Sequence, residues 1–398
     1  MTKQHIPKIR FQGFDDEWEE RQLKQLTDYK NGKGYEKKQK ENGKYELVNL
    51  NSILITGGLK SSGKFIDMAD DILEKNDLVM ILSDVGRGDL LGRVALIPED
   101  DKFVLNQRVA LLRPNSKTIP YFLFTYINRY QSYFKKNGAG MSQLNISKGI
   151  VENFFLSLPT LPEQESIGQL FLTLDELISA YKDNLEQYQS LKTSMLSKMF
   201  PKEGQKQPEI RLDGFEGDWE NVVLGDIGNV LMNKRIFKDE TSEYEEIPFY
   251  KIGTFGKIAD SFISRQKFEE YKAKYPYPQI GDILISASGS IGKIVEYKGE
   301  DAYFQDSNIV WLNHGGRLSN SFLKQFYQIV KWDGVEGTTI KRLYNKNILN
   351  TKISIPSLPE QEAIGAFFAN LDETISSYQD KIGQLELLKK NLLSQMFI

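Results

Sequence analysis

Two stretches of this chain combine lysine, tyrosine and turn residues in a pattern suited to gripping phosphates. Residues 28–44, DYKNGKGYEKKQKENGK, hold six lysines against three acids, with Tyr29 and Tyr35 interleaved. Residues 331–352, KWDGVEGTTIKRLYNKNILNTK, hold five basic residues against two acids. A basic, aromatic loop punctuated by glycine and asparagine is what a DNA backbone and groove edge require. Such loops are also common on solvated surfaces, so local charge alone leaves both readings open. The net charge of −3 argues against nucleic acid, but it describes the average surface and not one concave face. The acids collect elsewhere, as in Asp15-Asp16-Glu17 and from Glu243 to Glu246.

Strings with a catalytic look are weaker. Pro98-Glu-Asp-Asp-Lys102 has the wrong acid–lysine spacing for a nuclease and sits between strand-like runs, which predicts a surface turn. Ala287-Ser-Gly-Ser-Ile-Gly-Lys293 lacks the first glycine of a phosphate loop and the Ser/Thr after its lysine. Its amides can still meet a phosphate, as Gly-rich turns do. His5 and His314 lie far apart without triad or metal partners and read as surface residues. The absence of cysteine excludes disulfides and thiolate metal sites and fits a cytoplasmic location. No apolar run approaches the ~18 residues of a membrane span, and the N-terminus lacks a hydrophobic signal core.

The elements that must position these loops announce themselves by repetition. Residues 161–200 return at 358–397 with 22 of 40 positions identical and no gap. Pro7-Lys-Ile-Arg-Phe-Gln-Gly-Phe with Trp18 likewise returns as Pro208-Glu-Ile-Arg-Leu-Asp-Gly-Phe with Trp219. In the first copy apolar residues fall at Ile167, Phe171, Leu174, Ile178, Tyr181, Leu185, Tyr188, Met195 and Met199. Steps of four and three make this a heptad seam, and the second copy keeps its phase from Ile364 to Met396. Both seams place a lysine at the same slot, Lys192 and Lys389. Each helix opens behind Leu-Pro with a glutamate in its first turn. At ~1.5 Å per residue each would reach ~55 Å.

A stripe that long must be buried, and its twin is the obvious partner. The chain order then predicts antiparallel packing and a pseudo-two-fold dumbbell with two heads on a two-helix rod. The heads share a plan. Asp77-Leu-Val-Met-Ile-Leu-Ser and Asp282-Ile-Leu-Ile-Ser-Ala-Ser read as strands, each followed by a Gly-rich turn. Further strand-like runs start at Phe103 and Tyr303, and aromatic helices are expected from Tyr121 to Phe134 and from Phe322 to Trp332.

This pattern resembles the specificity subunits of type I restriction-modification enzymes over essentially the whole chain. The paired Leu-Pro-Glu-Gln-Glu openings at 161 and 358 carry the resemblance most strongly. Gly281-Asp-Ile-Leu-Ile-Ser, Gly289-Ser-Ile-Gly-Lys293, and Gly337-Thr-Thr-Ile ahead of Ile355-Pro support it. The first block departs at Ser83–Gly92, about five residues longer at that turn. The implied fold is α+β, with two mixed α/β target recognition domains at 1–157 and 209–354. Conserved spacer helices at 158–200 and 355–398 form an intramolecular antiparallel coiled coil, with a linker at 201–208. The resemblance implies a non-catalytic subunit that reads a bipartite, asymmetric double-stranded DNA target. It would direct adenine-N6 methyltransferase and restriction subunits there, with two modification subunits docked on the helices and the restriction subunits attached through them. No cofactor is expected on this chain, while S-adenosylmethionine, ATP and Mg are expected on the partners. The absence of an Asn/Asp-Pro-Pro-aromatic motif and of a cofactor glycine loop agrees with a chain that does not itself methylate.

In such a reader lysines set register on phosphates while polar side chains read base edges, arginine suiting guanine and Asn/Gln adenine. Candidates in the first head are Lys30, Lys33, Lys37, Lys38, Arg87, Arg93, Asn106, Gln107, Arg108, Gln143 and Asn145. In the second they are Asn233, Lys234, Arg235, Ser288, Ser290, Lys293, Asn308, Lys341, Arg342 and Asn345. A ~55 Å rod spans ~16 base pairs at 3.4 Å rise; the antiparallel arrangement predicts inverted half-sites, and heads that differ in sequence predict half-sites that differ. Two other classes fit the repeat, a two-headed protein-binding scaffold and a stand-alone DNA-binding regulator.

Overall fold

The computed structural model describes residues 6–35, 37–69, 71–85, 88–332 and 342–398. It forms two compact units, residues 1–182 with 380–398, and residues 183–379. The long helices Leu161–Lys198 and Leu358–Met396 each contribute to both.

Unit one is organised by a four-stranded antiparallel sheet in the order Thr27–Asn31, Val109–Pro114, Leu78–Ile81, Val94–Leu96. Its central strand Leu-Val-Met-Ile is buried on both faces, which explains why it reads as an unbroken apolar run. Leu78 and Met80 join a core with Phe122, Leu123 and the first long helix. Val79 and Ile81 face the other way, into a core with Val48, Phe103 and Leu105. That second face is covered by a small sheet of Phe65–Ile66, Tyr45–Val48 and Phe103–Leu105. A ribbon of Glu19–Gln22 and Phe155–Leu158 leads into the long helix.

Unit two repeats this plan. Its main sheet runs Asn229–Leu231, Ile309–Asn313, Ile283–Ser286, Ile294–Glu296, and Phe262–Ile263, Ile247–Tyr250 and Tyr303–Phe304 form the covering sheet. Ile283 and Ile285 again face the helices while Leu284 faces the covering sheet. One helix, Arg265–Lys274, has no counterpart among the described residues of unit one.

Two sequence expectations need correction. The runs from Phe103 and Tyr303 are not single strands, because each turns a corner between two sheets. The corner residues Arg108 and Ser307 adopt positive φ of 66° and 52°, which ends one strand and redirects the chain into the next. The aromatic helix of the first block breaks at Tyr130 into Pro120–Arg129 and Gln131–Asn137, and its second-block counterpart ends at Ile329.

The long helices pair antiparallel within each unit. In unit one Lys389 donates to Asp175, and Lys182 lies 2.6 Å from Glu386. In unit two Lys192 donates to Asp372 at 2.6 Å, and the Tyr188 and Tyr378 rings are 5.4 Å apart. The repeated seam lysines are therefore each answered by an aspartate of the other helix.

The repeated motifs find one explanation at the helix openings. Glu163 is fully buried and takes a two-pronged bond from Arg10, at 2.7 and 2.8 Å. Glu360 takes the same bond from Arg211, at 2.8 and 2.7 Å. Both guanidinium groups are held above the ordinary arginine pKa, chiefly by hydrogen bonding to these carboxylates. The following glutamines clamp the recognition blocks: Gln164 accepts from Ile119 N–H and Gln361 from Ser319 N–H, both at 3.0 Å. Those amides belong to the N-caps of Pro120–Arg129 and Asn320–Ile329. Gly365 permits the close crossing, since a Cβ there would stand 1.9 Å from Ser321 Oγ. Each helix ends in a buried aromatic. Phe200 stacks on Phe322 at 5.2 Å, and Phe397 sits 5.5–6.5 Å from Trp18, Phe122, Tyr126 and Phe171.

Candidate nucleic-acid interface

The antiparallel order of each main sheet brings four strand ends to one edge. In unit one Asn31 faces Ala110, Ile81 faces Val109 and Met80 faces Val94, so the loops after 31, before 109, after 81 and before 94 converge. The segment Gln143–Asn145 joins them by pairing with Ser83–Val85. In unit two Leu231 faces Trp311, Ser286 faces Ile309 and Ile285 faces Ile294, with Arg342 opposite Ser288. Residues scattered over more than 100 positions of sequence thus share one edge in each unit.

In unit one Gln107, Arg108 and Asn145 stand exposed there. Asn106 is buried, its Oδ1 taken by Gln107 N–H at 2.9 Å, so it builds the corner that presents its neighbours. Gln143 donates to Ser83 Oγ, and Asn145 Nδ2 donates to Gln143 O at 3.1 Å. Arg93 is already engaged within its own unit. Its guanidinium turns back into the fold, donating to Gln131 Oε1 at 2.7 Å and Asn128 O at 3.3 Å, and burial lowers its pKa. Arg87 and Lys341 lie outside the described residues.

The lysines of the basic run are only partly available. Lys30 and Lys33 both pair with Asp71, which they hold below the usual carboxylate range, Lys30 chiefly. Lys40 pairs with Asp67. Lys37 and Lys38 are exposed and make no ion pair with another described residue. Beside Lys30 and Lys33 opens a cleft of about 610 Å³, lined also by Tyr29, Tyr35, Asp71 and Arg113. Burial pushes the Tyr29 hydroxyl up to about 12.

In unit two Arg235 bonds Asp306 at 2.9 Å, and Lys234 lies 5.3 Å from the Tyr275 ring. Asn233 is buried and donates to Pro276 O at 3.4 Å. Ser288 is buried and donates to Asn308 Oδ1 at 2.7 Å. Ser290, Arg342 and Asn345 are exposed. Lys293 gives its ammonium to Phe255 O, so the loop resembling a phosphate site is already tied to its own fold.

Sequence reasoning missed the apolar tip of this edge in unit one. Met141 is 97 % exposed and Val85 67 %, beside Gln143. A methionine between Gly140 and Ser142 in a polar turn was the available signal. His314 also departs from expectation. It is buried, its Nε2 2.7 Å from Asn320 Oδ1 and its Nδ1 accepting from Leu318 N–H at 3.3 Å, while His5 lies outside the described residues. Pro98–Lys102 is the exposed turn its spacing predicts, with Lys102 bonded to Glu99 at 2.7 Å.

The profile of the type I restriction modification DNA specificity domain matches the chain twice, over residues 15–187 and 216–387. The chain belongs to the type I restriction-modification DNA specificity family. Its role is accordingly sequence specificity without catalysis of its own, in an assembly with restriction-modification subunits and DNA. A Haemophilus influenzae chain provisionally named a type I restriction enzyme specificity subunit is 40 % identical over 264 residues, 66 % of this chain and 67 % of that one. The MjaVIII specificity subunit of Methanocaldococcus jannaschii is 24 % identical, covering 87 % of this chain and 84 % of its own. In fold, the chain is similar to the crystal structure of a type I restriction-modification S subunit from M. genitalium, with TM-score 0.66 at 20 % identity and 99 % of both chains covered.

Membership in the specificity family also settles the charge question. Residues 161–200 and 358–398 carry twelve acids against six basic side chains, so the helices hold more than the whole net charge of −3. The rest of the chain is net positive. Among the described residues no cluster of His, Asp and Glu is placed to hold a metal, and no helix is long and apolar enough to cross a membrane.

Proposed function

We propose that the two recognition edges each read one half of a split, asymmetric DNA target, and that the long helices set the unread gap. The observation that carries this reading is one edge built twice from equivalent strand ends, with different polar residues in each copy. Exposed Gln107, Arg108 and Asn145 in unit one, and Arg342 and Asn345 in unit two, would meet base edges, while Lys37 and Lys38 set register on phosphates. Lys30 and Lys33 would reach the backbone only by sharing or leaving Asp71.

The helices would also dock two modification subunits, one at each equivalent surface, with restriction subunits attached through them. S-adenosylmethionine, ATP and Mg would then act on those partners, in the cytoplasm. The chain's own contribution is positional: it delivers a methyltransferase to adenines inside the two half-sites.

The test is a methylome. This chain is co-expressed with its modification subunit in a host lacking adenine methylation, and modified bases are read by long-read sequencing. A split motif bearing N6-methyladenine in each half, appearing only with this chain, is the expected result. Loss of specific modification from a soluble, associated pair would sink the reading and favour a protein-binding scaffold. DNA affinity should also fall steeply with salt, by a slope set by the phosphates neutralised, whereas an apolar protein interface would be indifferent. Removing one heptad from both helices together should shorten the gap by about three base pairs, at ~10 Å per heptad. An unchanged gap would mean that the helices are not the ruler.

A further inference from the structure

The two recognition edges share one hydrogen-bond scheme, and within it they exchange two residue types. In unit one the residue after the central strand, Leu82, donates its N–H to Arg108 O at 3.0 Å and accepts from Ile146 N–H at 2.9 Å. In unit two Ala287 donates to Asn308 O at 2.7 Å and accepts from Leu343 N–H at 2.8 Å. The next residue is a buried serine in both, Ser83 and Ser288. Asn145 lies opposite the first serine and Arg342 opposite the second. Backbone bonding therefore defines two equivalent positions. One is the corner residue that bonds the central strand, Arg108 or Asn308. The other is the residue across from the serine, Asn145 or Arg342. Each edge has one arginine and one asparagine at these places, in opposite order.

The side chains are in a state to use them. Arg108, Asn145 and Arg342 are exposed, and neither arginine makes an ion pair with another described residue. Asn308 is half-buried and accepts from Ser288 through Oδ1. Its carbonyl keeps a second lone pair, and its amide N–H groups bond no other described residue. In the major groove arginine matches the O6 and N7 acceptors of guanine, and the asparagine amide matches N6 and N7 of adenine. Two adjoining positions carrying this pair select one purine of each kind.

We propose that these equivalent positions read one guanine and one adenine in each half-site, and that the order of the two is exchanged between the half-sites. The inference rests on the DNA-reading role above and adds which residues carry specificity. Its test uses the complex of this chain with its modification subunit. The double variant Arg108→Asn with Asn145→Arg should methylate a motif whose first half has its guanine and adenine contacts exchanged, the second half unchanged. Asn308→Arg with Arg342→Asn should do the reverse. An unchanged motif from an active double variant would overturn the inference. Failure of the parent complex to methylate any split motif would instead strike the DNA-reading role itself. Should an exchange variant be inactive, Arg108→Ala and Asn145→Ala are compared by fluorescence anisotropy on duplexes differing at single positions of the first half-site. Parent discrimination of about 5- to 150-fold, the range of one bidentate base contact, should fall to near unity at one base pair for each variant. Retained discrimination at every position would overturn the proposal.

Discussion

Units one and two agree where the long helices open and disagree where the sheet strands end in loops. At the helix openings Arg10–Glu163 matches Arg211–Glu360 bond for bond, and Gln164 matches Gln361. At the sheet edge, unit one builds a paired ribbon, Ser83–Val85 with Gln143–Asn145, where the described part of unit two has a single bridge, Ser288 with Arg342. Unit two instead has an added helix, Arg265–Lys274, whose Lys267 pairs with Glu240. Repetition therefore marks what holds a unit together, and divergence marks what it presents. Identity between the copies is a map of structural necessity, and difference is a map of target choice.

The sharpest way to break that comparison is at the buried ion pairs. Arg10→Ala and Arg211→Ala each strand a buried carboxylate, which typically costs about 3–5 kcal/mol. Calorimetry should show the lower-stability transition moving in either variant by a similar amount. A surface-like loss below 1 kcal/mol in one of them would mean that the two openings are not equivalent. Next in size is the close crossing at Gly365. A methyl there meets Ser321 Oγ at 1.9 Å and its Cβ at 2.6 Å, whereas Gly168 has its nearest neighbour, Phe122 N, at 3.2 Å. Overpacking costs about 1–3 kcal/mol, and alanine returns about 1 kcal/mol of helix propensity. Gly365→Ala should therefore destabilise by up to about 2 kcal/mol and Gly168→Ala by close to nothing, as measured by urea unfolding. Equal effects would blunt the contrast.

The smallest expected effect lies at the seam. Lys192 and Asp372 are half-buried, and a double-mutant cycle on them should return about 0.5–1 kcal/mol. Asp175, the partner of Lys389, also accepts from the Tyr121 hydroxyl at 2.7 Å, so its cycle should give the larger coupling. Reversal of that order would show that Tyr121 does not reinforce the pair.

How much of this was legible beforehand follows from the range of the interactions. The helices and their antiparallel sense were readable because a heptad seam is local and chain order constrains direction. The Ile-Arg and Leu-Pro-Glu-Gln echoes were visible as motifs, but not that Arg10 reaches Glu163 across 153 positions. Shorter separations, 41 positions from Lys30 to Asp71 and 38 from Arg93 to Gln131, were enough to hide those partners too. Periodicity cannot show that Phe103 to Leu112 turns a corner, since both arms are equally apolar and the polar Asn106-Gln107-Arg108 between them does not reveal the positive φ of Arg108. His314 looked isolated because its partner Asn320 bears no catalytic signature.

The seat of Phe397 among Trp18, Phe122, Tyr126 and Phe171 has a consequence for birth on the ribosome. Unit two is continuous in sequence, whereas unit one is split and takes residues 380–398 from beyond the whole of unit two. A chain made from the N-terminus therefore has every residue of its second unit before its first can be completed. The usual order, in which the N-terminal domain folds first, is inverted here. Until residues 380–398 emerge, the aromatic slot of unit one stands open, with apolar surface that a chaperone could hold.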